Sequence, residues 1–247
     1  MGFDALAPAL LASLRIAPAL GFAPPFTLLR TPASVRIFIG VGLSLCILNA
    51  QPAQANLDLS EANLLPIALT ELLAGISIAL SLQLAFAAIQ TAGRAIDFQV
   101  GFGLALLADP TLRTQTPLTG ALLAYAGAAV FFATGGPTDF VRIWARSFER
   151  VPLGGFTHPD IGVLLEYISA VFVFAIALVG LALITLFLID LAIAFLSRTL
   201  PQMNVLVLGF QVKTLAFLAI MPFVFAYSGA WFLRIVRLAI ETAPRLV

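Results

Sequence analysis

Hydrophobic residues run along this chain in long, nearly unbroken blocks, and polar residues gather where the blocks end. Six blocks stand out: Ala5 to Phe26, Val35 to Ala50, Leu64 to Gln90, Leu118 to Ala133, Ile161 to Ile189 and Val205 to Tyr227. None alternates with the period of two that marks a half-buried strand, and most approach or exceed the roughly 20 residues a helix needs to cross a bilayer. The pattern predicts an all-α, polytopic membrane-associated protein of about five to six apolar helices, with none of the roughly ten-residue alternation of a membrane barrel. Pro24-Pro25, Thr31-Pro32, Gln51 to Glu61, Thr91 to Pro117, Gly135 to Pro159 and Ser197 to Asn204 lie between the blocks. Proline and glycine mark nearly every one of these boundaries, as helix breakers should. No fixed-period repeat is present.

Two features resist a plain six-span arrangement. The block Leu118 to Ala133 is a little short of the roughly 17–25 residues of a crossing helix. Charge placement is the second. With the amino terminus outside, Arg30 and Arg36 fall inside, Asp58 and Glu61 outside, and Arg94 and Arg113 inside, which fits the positive-inside rule. If Leu118 to Ala133 also crosses, Arg142, Arg146 and Arg150 land outside together with Arg234, Arg237 and Arg245. Removing that one crossing restores the rule, so the segment is expected to pack on protein and not to span lipid. At the carboxyl side, Ile161 to Leu196 would make a helix of about 54 Å, longer than a bilayer core of about 30 Å. Leu200-Pro201-Gln202 then turns the chain into a second long apolar stretch, which reads as an antiparallel hairpin.

Polar groups inside the blocks carry further information. Gln83, Gln90, Arg94 and Asp97 are spaced by seven, four and three residues, so they share one narrow helix face. Such groups are costly in hydrocarbon and turn toward other helices or water. Arg94 and Asp97 can pair at i,i+3; alternatively the last turn simply emerges at the interface. Ala85, Ala88 and Ala92 on the same helix allow a second backbone to approach. In the hairpin, Asp190 and Lys213 are isolated charges in apolar text. They fit either a structural or partner-facing pair, the stronger reading, or a proton or ion pathway.

Composition narrows the function classes. Of 247 residues, 61% are hydrophobic and 10% charged, against about 45–50% apolar and about 25% charged in soluble domains. A net charge of +1 supplies no field for nucleic acid. A single cysteine, Cys46, and a single histidine, His158, leave no Cys/His metal cluster or internal disulfide within the chain, and no cofactor is expected. Arg36, the apolar run Ile37 to Leu48 and Ala53-Gln54-Ala55 imitate a cleaved leader but begin too far along the chain, and no leader is read at the start. Enzyme constellations fail on parts. Ser228 lacks a nucleophile-elbow context, and Gly101-Phe102-Gly103 lacks both a third glycine and a preceding strand. Those glycines instead open an apolar loop, Val100 to Thr116, which at membrane depth must be buried in protein or line a cavity.

Ala85-Phe86-Ala87-Ala88-Ile89-Gln90-Thr91-Ala92-Gly93, followed by Ile96, Gln99, Gly101 and then Asp109-Pro110, resembles the central signature of the FliR family of type III export-gate proteins. Asp190-Leu191-Ala192, then Ser197 through Val205 and on to Gly209-Phe210, is similar to that family's carboxyl-terminal motif. Weaker matches at Leu14-Arg15, Pro24, and Thr31-Pro32 before Arg36 extend the likeness over roughly Leu14 to Ile240. The resemblance implies a non-enzymatic subunit of the flagellar protein-export gate in the bacterial inner membrane, at the basal body. Implied partners are P- and Q-type gate subunits, FlhA- and FlhB-type export proteins, transient unfolded protein substrates and membrane lipid. The chain then forms one export-gate domain, 1–247, with amino-terminal helices at 5–92, a plug loop at 100–116 and a long hairpin at 161–240. Carried over residue by residue, the plug comprises Gly101, Phe102, Gly103, Leu104, Leu107, Asp109 and Pro110. The hairpin tip comprises Asp190, Arg198, Pro201, Gln202, Asn204, Gly209 and Lys213.

The chain departs from the family pattern at four positions within the matched segments. Arg94 stands where the family commonly has Glu, Asp97 where it has Gly, Asp190 where Asn is usual and Gln211 where Pro is usual. The swap at Arg94 and Asp97 preserves a local pair while changing the charge presented to a partner. A gate subunit of a virulence secretion system shares both signatures, and a small-solute transporter using Asp190 and Lys213 is the alternative from another class. A hydrolase using His158 or Ser228 is the remotest reading.

Overall fold

The computed structural model describes residues 3–29, 31–50, 61–102, 117–156, 158–199 and 205–247. Seven α-helices and two short 3-10 turns account for nearly all of them, and no strand occurs among the described residues. In chain order they are α1 (Phe3–Phe22), α2 (Ala33–Ala50), α3 (Glu61–Val100), α4 (Leu118–Ala133), α5 (Gly136–Arg150), α6 (Ile161–Thr199) and α7 (Val205–Thr242). Helices α2, α3, α6 and α7 are long and apolar enough to cross a membrane, while α4 and α5 form a pair bent by 70°. The chain is a multi-pass, all-helical membrane-class protein.

Several elements outrun the apolar blocks that announce them. Helix α3 continues ten residues beyond Gln90 to a length of 40, about 60 Å, and α7 continues from Tyr227 to Thr242. Helix α6 has 39 residues, so it and α7 are both longer than a bilayer core is thick. One expectation is corrected outright. Gly135 to Pro159 is not simply a connecting stretch, because α5 occupies Gly136–Arg150. Gly135 takes a positive φ of 80°, a conformation glycine adopts without strain, and Pro137 fits the first turn, where its missing N–H costs nothing. Asp139 in the first turn and Arg150 in the last both complement the helix dipole. Phe140, Ile143, Trp144, Ser147 and Phe148 form its buried stripe, at the i, i+3, i+4, i+7, i+8 spacing of an amphipathic helix.

The chain divides into two compact units. The first comprises Met1–Phe86, Ala128–Ala170 and Val236–Val247, and the second Ala87–Gly127 and Val171–Ile235. In the first, Ile16, Ile78, Leu82, Phe131, Phe140, Trp144 and Phe148 are fully buried. Phe26, Phe131, Phe132, Phe140 and Trp144 meet mostly edge to face, with centroids 5.5–6.4 Å apart. In the second, Ile89, Ile96, Leu123, Ala175, Leu178, Ala182, Val224 and Phe232 form the core.

Candidate functional site

In the second unit, the end of α3 is tied down just ahead of residues 103–116, which lie outside the described residues. Asp97 is buried, and its carboxylate accepts from the Thr119 amide, 3.2 Å from each oxygen, and from the Thr119 hydroxyl. Thr119 lies in the first turn of α4, so this one carboxylate joins the end of α3 to the start of α4 and satisfies an orphan amide there. The backbones run unusually close there. A Cβ on Gly93 would collide with the Gly120 backbone, and one on Gly120 would lie 2.8 Å from the Gln90 carbonyl oxygen. Gly101 takes φ 99°, ending α3 with its amide and that of Phe102 donating back to the Asp97 carbonyl.

Helix α7 holds the same end of α3 from another side. Lys213 forms an ion pair with Asp190 of α6 and donates to the Gln99 carbonyl at 3.1 Å. Phe102 meets Phe217 of α7 edge to face at 5.5 Å. Gly209 is buried against α6, where a Cβ would rest 3.7 Å from Ile193. Arg198 is exposed in the last turn of α6.

The predicted residues are therefore only partly gathered. Asp97, Phe102, Asp190 and Lys213 converge on the end of α3. Arg94 is exposed and does not pair with Asp97, which corrects the i,i+3 expectation: Thr119 offers that carboxylate a backbone and a hydroxyl donor in a buried setting. Gln83 and Gln90 are half-buried on α3, and Gln83 Oε1 is buried without a hydrogen-bond partner. Gly103, Leu104, Leu107, Asp109, Pro110, Pro201, Gln202 and Asn204 lie outside the described residues.

The first unit holds a cluster that the sequence reading passed over. Arg15 Nε and Nη2 donate to the two carboxylate oxygens of Glu71, each at 2.8 Å, and both side chains are fully buried. Arg15 Nη1 donates to Ser147 Oγ at 3.3 Å and to the Val151 carbonyl at 3.0 Å. The Gly154 amide donates to Glu71 Oε1 at 2.9 Å, and the guanidinium lies 4.1 Å from the Phe148 ring centroid. A bidentate pair with two further acceptors on the guanidinium and a further donor on the carboxylate is a form in which buried charge is tolerable. Gly75 of α3 packs on this spot, since a Cβ there would stand 2.5 Å from the Arg15 carbonyl oxygen. One signal was available: Arg15 is the sole base, and Glu71 the sole acid, within the apolar blocks that carry them.

The profile of the family described as "Bacterial export proteins, family 1" matches residues 6–239. The chain belongs to this family. Within the family it is similar to the flagellar biosynthetic protein FliR of Aquifex aeolicus, 29% identical over 211 residues, covering 83% of this chain and 80% of that one. FliR of Bacillus subtilis matches to the same extent. The Yop proteins translocation protein T of Yersinia pestis is 28% identical over 170 residues, 66% of this chain and 65% of that one. The match takes in the Arg15–Glu71 cluster, the end of α3 and the Asp190–Lys213 pair alike, so both units are parts of one export-family chain.

Proposed function

We propose that the chain is a non-enzymatic gate subunit of the bacterial flagellar type III export apparatus, seated in the inner membrane at the basal body. The observation that carries this reading is family membership across residues 6–239, with FliR relatives matched over about four-fifths of each chain. Exposed apolar surface supports it. Only 28% of the apolar window in α6 and 22% in α7 is buried within the chain, which leaves faces for lipid and for P- and Q-type subunits. The loop 100–116 acts as the closing plug, its apolar residues Phe102, Leu104 and Leu107 forming a constriction that holds neither water nor ions well. The Asp97–Thr119 and Lys213–Gln99 bonds support that role by fixing both stems of the loop. FlhA- and FlhB-type proteins are the neighbouring components and unfolded polypeptides the cargo.

The deciding experiment is deletion and complementation in the native bacterium. Loss of flagellin export and of co-purification with P- and Q-type partners, restored by the natural chain, is the expected result. Normal flagella without the chain would end the reading. The Leu104→Gly/Leu107→Gly double variant tests the plug and should raise ion leak or impair export; unchanged leak with normal export removes the loop from that role. The relation to the Yersinia translocation protein favours a second reading, a virulence-system gate, in which deletion leaves motility intact and blocks needle-dependent secretion. A small-solute carrier is disfavoured by the fixed Lys213 partners and predicts substrate transport by the purified chain alone.

A further inference from the structure

Helices α1 and α2 enclose an open groove of about 430 Å³. Its walls are apolar and small, with Leu14, Ala17, Leu20, Ile37 and Val41 along it and Gly21 and Gly40 leaving room. Beyond its chain neighbours and its own helical backbone, nothing lies within 4 Å of where a Gly21 Cβ would sit, and the Gly40 position is approached only by Leu20, at 3.9 Å. Arg36 is the one charged residue among the described residues that line it. Its Nη1 donates to the Gly21 carbonyl at 2.7 Å and to that of Leu20 at 3.4 Å, which holds the guanidinium over the carboxyl end of α1. Its Nε is buried and lacks an acceptor. Around it the start of α2 is apolar and open to the surroundings: Ile37 is 65% and Phe38 78% exposed.

We propose that this groove is a binding site for one anionic phospholipid, its phosphate on Arg36 and one acyl chain laid along α1 and α2. The charge is complementary, and a guanidinium offers a phosphate a planar pair of donors while the orphaned Nε supplies a hydrogen bond still to be made. The position suits the ligand as well. Arg36 stands one turn inside the start of α2, a helix of 18 residues with the hydropathy of a membrane span. That is the depth at which lipid headgroups meet a spanning helix. The groove volume falls in the range of about 300–1,000 Å³ typical of sites that take small ligands. A free anion would use Arg36 alone and leave the apolar channel beside it unfilled, so the lipid is the occupant that accounts for both halves of the site. The proposal rests on α2 lying in the bilayer.

The test is native mass spectrometry of the full chain, taken with its co-purifying partners from vesicles of equimolar dioleoylphosphatidylglycerol and dioleoylphosphatidylcholine, under stepwise delipidation. The anionic lipid should be retained about fivefold over the zwitterionic one, as one basic contact at a membrane surface provides. Arg36→Gln should abolish the preference and Arg36→Lys keep most of it. Gly40→Leu, which fills the groove and leaves Arg36 in place, should lower retention of both lipids. Equal retention of the two lipids overturns the proposal, as does retention untouched by Gly40→Leu or displacement of the bound lipid by millimolar inorganic phosphate. Cys46 is exposed on α2, ten residues or about 15 Å beyond Arg36, and reports the setting independently. Rapid labelling of Cys46 by a membrane-impermeant maleimide in sealed vesicles would take α2 out of the bilayer, a failure distinct from loss of lipid preference.

Discussion

The two units solve the same problem, fixing helices that are oily on nearly every face, by different means. In the first, a fully buried Arg15–Glu71 pair held by five hydrogen bonds registers α1 and α3 against the end of α5. In the second, glycines bring α3 and α4 backbone to backbone, and the Lys213–Asp190 pair is partly open, its side chains 19% and 41% exposed. The first leaves charge nowhere to go but its own partners, so its order is written into this chain. The second leaves Phe187, Phe195, Leu215 and Phe223 each more than half exposed. Apolar surface of that extent marks contact with something outside the chain. The first unit has such surface too, with Ile37, Phe38 and Leu65 more than half exposed, so what sets the regions apart is how their charges and backbones are held.

The largest effect should come from splitting the buried pair. Glu71→Ala strands the Arg15 charge in an apolar core and should destabilise the first unit by about 3–5 kcal/mol, read by chemical unfolding in detergent. The double change Arg15→Met/Glu71→Leu should recover most of the loss, and failure to recover would mean that the pair does more than satisfy itself. Next in size, Gly93→Val forces α3 away from Gly120 and should cost about 1–3 kcal/mol by overpacking, with Gly93→Ala giving a smaller loss by the same measurement. Thr119→Val removes one hydroxyl donor from the buried Asp97 carboxylate and should cost about 1–2 kcal/mol; a neutral result would show that the Thr119 amide alone suffices. Smallest in stability, Lys213→Met should change unfolding by less than about 1 kcal/mol because its partner is half in the open. Its informative readout is ion leak through the assembled gate, which should rise as the Gln99 stem is released. Together these variants test whether a sealed ion pair holds the first unit and close backbone contact with a half-open ion pair holds the second.

How much of this was readable depended on the distance over which each decision is made. The long apolar helices were legible because periodicity and run length are local, and the stretch from Leu118 to Ala133 was delimited to the residue. Helix α5 was legible in principle. Its stripe of Phe140, Ile143, Trp144 and Phe148 has the right period, but Asp139, Arg142, Arg146 and Glu149 lower the average hydropathy and hid it behind a proline and two glycines. The Arg94–Asp97 pair failed for a different reason. Spacing on one helix allowed it, yet Thr119, 22 residues away, competes for the same carboxylate with better-placed donors. Arg15 and Glu71 lie 56 residues apart, and nothing in either neighbourhood names the other.

The sequence by itself determined that this is a helical, multi-pass chain of the export family, because hydrophobic runs, breakers and motifs are properties of neighbouring residues. Only the tertiary structure decided which lone charges are neutralised within the chain, where two glycines let backbones touch, and which apolar faces remain open. Those outcomes depend on what distant segments bring to the same point, and in a low-dielectric interior the strength of each interaction is set by its surroundings more than by the residue that makes it.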